Sequence, residues 1–232
     1  MRDGFETTAT LLIVACAVGM TGLMLRREFS VAQAAASPRG YSSRYIKTWG
    51  TFESAGHRVG PTAAKATIVE FIDYECPACR QFDRTLSGTI ATVNQEHPQQ
   101  TATIFVHFPL SMHRFSRLAG QAAECAAGQD RFMQMHDKLF AKQDSFGLKP
   151  WGDYADEAGV SDQIAFRACM RDSAAMHRVD AGLAIAEEQK FIGTPTVLIN
   201  GWLFAGVPRE LELRTAIENA IAGKPVINTL RR

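Results

Sequence analysis

Ala66-Thr67-Ile68-Val69-Glu70-Phe71-Ile72-Asp73 runs through Tyr74-Glu75 into Cys76-Pro77-Ala78-Cys79, with Arg80-Gln81-Phe82 following. The first eight residues are β-branched and mostly apolar, which is the composition of a strand covered on both faces. Beyond the cysteines, Phe82, Leu86, Ile90 and Val93 recur at helical spacing, so the order is strand, cysteine pair, helix. Thr101-Ala102-Thr103-Ile104-Phe105-Val106-His107-Phe108 is a second buried strand. The two strands and the helix between them make a βαβ unit and predict a partly parallel sheet.

Residues 111–190 show helical periodicity and no strand: Leu118, Ala119, Ala122, Ala123 and Ala126, then Phe132, Met135 and Leu139, then Met176, Val179, Leu183 and Ala186. Strand character returns at Thr196-Val197-Leu198-Ile199. Asn200-Gly201 then separates it from Trp202-Leu203-Phe204-Ala205, a hairpin signal. A last helix runs from about Glu210 to Ala222, with Gly223 as its stop. The expected fold is α/β, a central mixed sheet flanked by helices. Its halves span residues 60–110 and 191–232, interrupted by an all-helical insertion over 111–190.

The 232 residues are 46% hydrophobic and 21% charged, as in ordinary globular chains, and suffice for a sizeable core. With 25 basic and 24 acidic residues the net charge is +1, and the basic residues are scattered. Neither the basic stripe of a nucleic-acid binder nor a basic amphipathic membrane helix is present.

From Thr7 to Leu25 no residue is charged, and at ~1.5 Å per helical residue this run nearly matches a hydrocarbon layer of about 30 Å. Residues 1–27 therefore read as a transmembrane signal anchor. A cleaved signal peptide is the alternative, because Ala32-Gln33-Ala34 and Ala34-Ala35-Ala36 offer small-x-small sites. Arg26, Arg27 and Glu28, between the apolar run and those alanines, favour the anchor. Arg26 and Arg27 alone would keep the bulk of the chain in the cytoplasm. The cysteine chemistry needs an oxidising side, so export is expected instead. Residues 28–59, rich in Ser, Ala, Gly and Arg, read as a tether and lead-in.

A Cys-x-x-Cys whose first cysteine opens a helix puts that sulfur where unsatisfied backbone N–H groups and the helix dipole favour negative charge. Cys76 is thereby predicted to be a low-pKa thiolate, both nucleophile and leaving group. Pro77 suits a first turn that needs no N–H there. Ala78 offers the thiolate no side-chain charge or hydrogen bond. Cys79, one turn on, can close a ring with Cys76 and release whatever Cys76 has captured. Zinc binding needs a second ligand pair, and no other Cys-x-x-Cys or His-x-x-His exists, so no metal is expected. A purely structural staple is disfavoured because so short a ring constrains little unfolded-chain entropy. His107, His113 and His136 have no evident partners and read as packing or surface residues. Cys16 belongs to the apolar run.

The stretch from Val69 to Phe82, together with Phe191-Ile192-Gly193-Thr194-Pro195-Thr196 and the helical stretch between them, resembles the DsbA-like branch of the thioredoxin superfamily over roughly Gly60 to Gly223. The resemblance implies a thioredoxin-like fold. It makes Cys76 the exposed attacking cysteine and Cys79 the buried resolving one. Thr194-Pro195 falls at the family's cis-proline loop, where the backbone of Thr194 would pair with an extended substrate; without the resemblance, a trans proline opening an edge strand would be expected. Glu70 falls at the family's buried acid, which would take and return the proton of Cys79; an exposed edge-strand glutamate is the alternative. Asp73 and Glu75 lie close enough to oppose the thiolate, and Pro-Ala in place of Pro-His between the cysteines implies weaker oxidising power. Cys125 and Cys169 would form a structural disulfide within the insertion, or remain two buried thiols.

The activity so implied is thiol:disulfide exchange in the periplasm or at the cell exterior. It would oxidise cysteine pairs of exported or unfolded proteins, with no cofactor beyond the redox-active Cys76-Cys79 disulfide. A quinone-linked membrane partner of the DsbB or VKOR type would reoxidise it. The alternatives are a reductase or isomerase kept reduced by a CcdA or DsbD type carrier, and a client-binding holdase with structural cysteines. No nucleic-acid partner is expected.

Overall fold

The computed structural model describes residues 43–227. The apolar run and the alanine sites that follow it lie outside them. Among the described residues no helix is long and apolar enough to cross a membrane.

Six strands form one mixed sheet: β1 (Arg44–Tyr45), β2 (Gly56–Val59), β3 (Ala66–Ile72), β4 (Thr101–His107), β5 (Thr196–Ile199) and β6 (Trp202–Leu203), in the spatial order β1-β6-β5-β3-β4-β2. Only β3 and β4 pair in parallel, as a helical crossover requires. All seven residues of β3 are buried, because it is central and covered on both faces. Its alternate residues divide the core. Ile68 and Ile72 face helix α1 (Pro77–Glu96) and helix α7 (Glu210–Ile221), while Val69 and Phe71 face a second cluster on the other side. Glu70 shares the face of Ile68 and Ile72.

The insertion holds α2 (Ser116–Ala127), α3 (Phe132–Ala141), α4 (Trp151–Glu157), α5 (Gln163–Cys169) and α6 (His177–Glu188). It is not a separate body. Met135, Leu139, Tyr154 and Phe166 belong to the same apolar cluster as Ile72 and Phe105 of the sheet. Helix α6 packs on β4, and a methyl group on Gly182 would collide with the carbonyl oxygen of His107, so this crossing needs glycine. The Asn200-Gly201 hairpin forms between β5 and β6, with both residues at positive φ (46° and 84°), as a type I′ turn demands.

Of the stretch read as a tether and lead-in, residues 28–59, the part from residue 44 on needs correction, and 28–42 lie outside the described residues. Residues 44–59 form β1, a 3₁₀ turn (Trp49–Ala55) and the edge strand β2, and Ile46, Phe52 and Ala55 are buried in the second cluster. Phe52 meets Phe71 edge-on with ring centroids 5.5 Å apart. These anchors are too sparse to show strand or helix periodicity, and β2 carries His57 and Arg58, so composition alone resembles a linker.

Candidate active site

The fold brings Cys76, Cys79, Glu70, Thr194 and Pro195 together at the end of β3. Cys76 is the N-cap of α1 in extended conformation (φ −77°, ψ 119°), and Pro77 occupies the first helical position. Its sulfur lies 3.5 Å from the carbonyl oxygen of Thr194, across the cis Thr194-Pro195 peptide. Both Cys76 and Cys79 are free thiols. Cys76 keeps 6% of its surface exposed and Cys79 none. The attacking sulfur expected to be exposed is therefore largely buried, with the Thr194 carbonyl beside it.

The two sulfurs are tuned in opposite directions. A hydrogen bond from the Cys79 thiol brings Cys76 down to about 5, against the opposing pull of its partial burial. Thr194 and the backbone N–H groups of Cys79 and Ala78 add to the effect. Ala78 thus contributes through its main chain what its side chain cannot. Cys79 is pushed well up, first by burial and then by its neighbours Cys76 and Glu70. One sulfur is ionised at neutral pH and the other holds its proton.

Glu70 is no edge residue: it lies between Phe105 of β4 and Val197 of β5 and is fully buried. Neither carboxylate oxygen has a hydrogen-bond partner. Burial, and after it the charge of Asp83, raises its carboxyl well above the usual range.

Asp73 and Glu75 do not act on Cys76 as expected. Asp73 is buried and accepts the N–H of Glu75 (2.8 Å) and of Leu110 (2.8 Å), and pairs with His113 Nδ1 (2.7 Å). Glu75 accepts the N–H of Phe115 (2.6 Å). Both carboxylates are engaged in clasping residues 110–115 to the active-site loop, and neither is among the groups that set the Cys76 thiol.

The three histidines also need correction, since each has a carboxylate partner. His107 pairs with Glu124 (2.7 Å), His113 with Asp73, and His136 with Asp83 (3.0 Å). These partners lie 17 to 53 residues away in sequence, so spacing gives no sign of them. Asp83 was missed in the sequence, although its place one helical turn beyond Cys79 could have drawn notice. Cys125 and Cys169, away from the active site, are joined by a disulfide that ties α2 to α5 with Cα atoms 5.7 Å apart. Among the described residues no group of His, Cys, Asp and Glu is arranged to hold a metal ion.

A sequence model described as thioredoxin matches residues 53–219, most of the described chain. The chain belongs to the thioredoxin family. Among solved structures it is similar to BdbD from Bacillus subtilis, with 23% identity and a TM-score of 0.63 over 73% of this chain and 95% of that one. Wolbachia pipientis alpha-DsbA1 superposes with a TM-score of 0.60 at 19% identity, over 72% of this chain and 92% of that one. These likenesses establish a DsbA-like thioredoxin fold with a helical insertion. Curated relatives of similar sequence carry other names. Na(+)/H(+) antiporter NhaA 3 of Salinispora tropica is 32% identical over 168 residues, 72% of this chain and 25% of that protein. NhaA 1 of Mycolicibacterium gilvum is 32% identical over 164 residues, 67% of this chain and 26% of that protein. The chain spans about a quarter of the length of these relatives, so the thioredoxin-family segment is one part of each.

Proposed function

We propose that this thioredoxin-family protein is an extracytoplasmic thiol:disulfide oxidoreductase, working mainly as an oxidase of cysteine pairs in exported proteins. The observation that carries the reading is the opposed tuning of Cys76 and Cys79. A substrate thiolate attacks the Cys76 sulfur of the oxidised enzyme, and the Cys76-Cys79 bond breaks with its electron pair going to Cys79. The Cys79 thiolate takes a proton from Glu70. The substrate's second thiolate then attacks its own sulfur in the mixed disulfide, and Cys76 leaves as a stabilised thiolate. The backbone of Thr194, beside the Cys76 sulfur, is placed to pair with the extended substrate segment. The low pKa of Cys76 favours the reduced product and hence the oxidising direction.

A quinone-linked membrane partner of the DsbB or VKOR type would return the pair to the disulfide. The uncharged apolar run from Thr7 to Leu25, and the occurrence of similar segments within proteins named as antiporters, support a setting at a membrane. The Cys125-Cys169 disulfide supports an oxidising compartment.

The test is acid quench and alkylation of the protein in cells, alongside oxidation of a reduced dithiol peptide in vitro. Mostly oxidised Cys76 and Cys79, with turnover abolished by Cys76→Ala, is the expected result. A mostly reduced pair with turnover intact reverses the direction, to a reductase or isomerase served by a CcdA or DsbD type carrier. Client binding unaffected by Cys76→Ala, with no exchange in the wild type, leaves a holdase.

A further inference from the structure

Behind the cysteine pair a chain of polar side chains runs through an otherwise apolar region. Tyr74, two residues before Cys76, places its hydroxyl 3.1 Å from His136 Nδ1, and His136 Nε2 lies 3.0 Å from the Asp83 carboxylate. Tyr74 and His136 are buried, and Asp83 is nearly so. Asp83 follows Cys79 by one turn of α1 and so shares its side of the helix. The His136 ring lies against Phe105, centroids 4.4 Å apart, and Phe105 is the β4 partner of Glu70.

We propose that Asp83 and His136 are positioning residues for the resolving step, their shared proton setting how readily Glu70 relieves Cys79 of its own. This rests on the exchange reading of Cys76 and Cys79. During reoxidation the mixed disulfide joins Cys76 to a disulfide-bearing partner. The Cys79 thiol gives its proton to the Glu70 carboxylate, and its sulfur attacks Cys76. The bond from Cys76 to the partner breaks, and the partner's sulfur leaves with the electron pair. Until the partner's sulfur leaves and carries the charge away, one negative charge is shared between Cys79 and Glu70, and both groups are fully buried.

The Asp83–His136 pair sits beside this site, Asp83 one helical turn from Cys79 and His136 against Phe105. With His136 protonated the pair is neutral, and with His136 neutral Asp83 places a full negative charge beside the site. The influence is already visible in the raising of the Glu70 carboxyl by Asp83. The other titratable groups around this chain are Glu70 from β3, His107 from β4 and Glu124 from α2, which face Tyr74, and Asp137, which faces His136 and Asp83. Arg80 and Arg84 of α1 line a cavity of about 200 Å³ with Asp83 and Asp137. Arg80 is paired with Asp144. Proton exchange between this cavity and Asp83 gives the pair contact with solvent that Glu70 lacks.

The experiment follows the Cβ resonance of ¹³C-labelled Cys79 against pH in full-length protein carrying Cys76→Ser, which reads the titration without requiring reagent access. Asp83→Asn should lower the Cys79 midpoint by roughly one unit, and His136→Gln, which keeps hydrogen-bonding capacity but cannot carry the pair's shared proton, should raise it. Asp83→Glu, retaining the charge, should restore the wild-type midpoint. The pH profile for resolving a trapped mixed disulfide on Cys76 should move in the same directions. Shifts of the same sign in both variants indicate loosened packing that admits water and overturn the proposal, as do unmoved midpoints in folded variants. If the wild type shows no exchange at all, the exchange reading fails instead, and the Cys79 titration distinguishes the two.

Discussion

At the scale of single residues, the molecule depends on keeping two like side chains three positions apart in different protonation states. Cys76 titrates near 5 in the fold, against an ordinary thiol value of 9.0. Its folded pKa is depressed, so the stabilisation it gives the reduced protein is complete above the unfolded pKa and is lost as pH falls through about 5. Reduced protein should therefore gain thermal stability relative to oxidised protein from pH 4 to pH 8, by calorimetry. Flat behaviour across that window would contradict the assigned thiolate. Glu70→Gln removes the buried carboxylate behind Cys79 and, on the proposed exchange, should slow resolution of a mixed disulfide by about 10²-fold or more, while the thiolate absorbance of Cys76 keeps its midpoint near 5. Stopped-flow measurement of both quantities checks this. The cysteine pair was legible because a helix mouth is a local feature of sequence. The release of Asp73 and Glu75 from Cys76 was not, because their partners at residues 110–115 arrive only through tertiary folding.

At the scale of elements, one largely buried carboxylate joins β2, β4, α2 and α6. Glu124 of α2 binds His57 of β2 (2.8 Å) and His107 of β4 (2.7 Å), and Arg178 of α6 approaches it at 3.5 Å. Burial pushes its carboxyl up, but the hydrogen bonds from His107 and His57 outweigh that and hold it at about 2. The stability it contributes is present above the usual 4.5 and disappears as pH falls through about 2. Glu124→Gln should cost about 3 kcal/mol at neutral pH and flatten the acid limb of the unfolding curve, measured by urea titration at pH 7 and pH 3. Gly182→Ala should loosen the α6–β4 crossing and destabilise by about 2 kcal/mol, because backbone must move. Strands β3 to β6 and the closing helix were readable from apolar runs and the Asn-Gly turn. Strands β1 and β2 were not, since an edge strand held by His57, Arg58 and one deep phenylalanine shows no periodicity.

At the scale of the whole molecule, the insertion and the sheet share one apolar cluster, and the Cys125-Cys169 disulfide crosslinks the insertion across 44 residues. Cys125→Ala with Cys169→Ala should lower unfolding free energy by about 4 kcal/mol, chiefly through the unfolded chain, and should leave the Cys76 midpoint in place. Chemical denaturation with thiolate titration of the same variant separates the two effects. The placing of an insertion between residues 111 and 190 was legible from its unbroken helical spacing. Its fusion with the sheet core was not, because Met135, Leu139 and Phe166 look alike whether they face each other or Phe105.

With only 6% of its surface showing, Cys76 lies beside the carbonyl of Thr194. Bulk as well as reactivity therefore decides which thiol-directed reagents reach that sulfur.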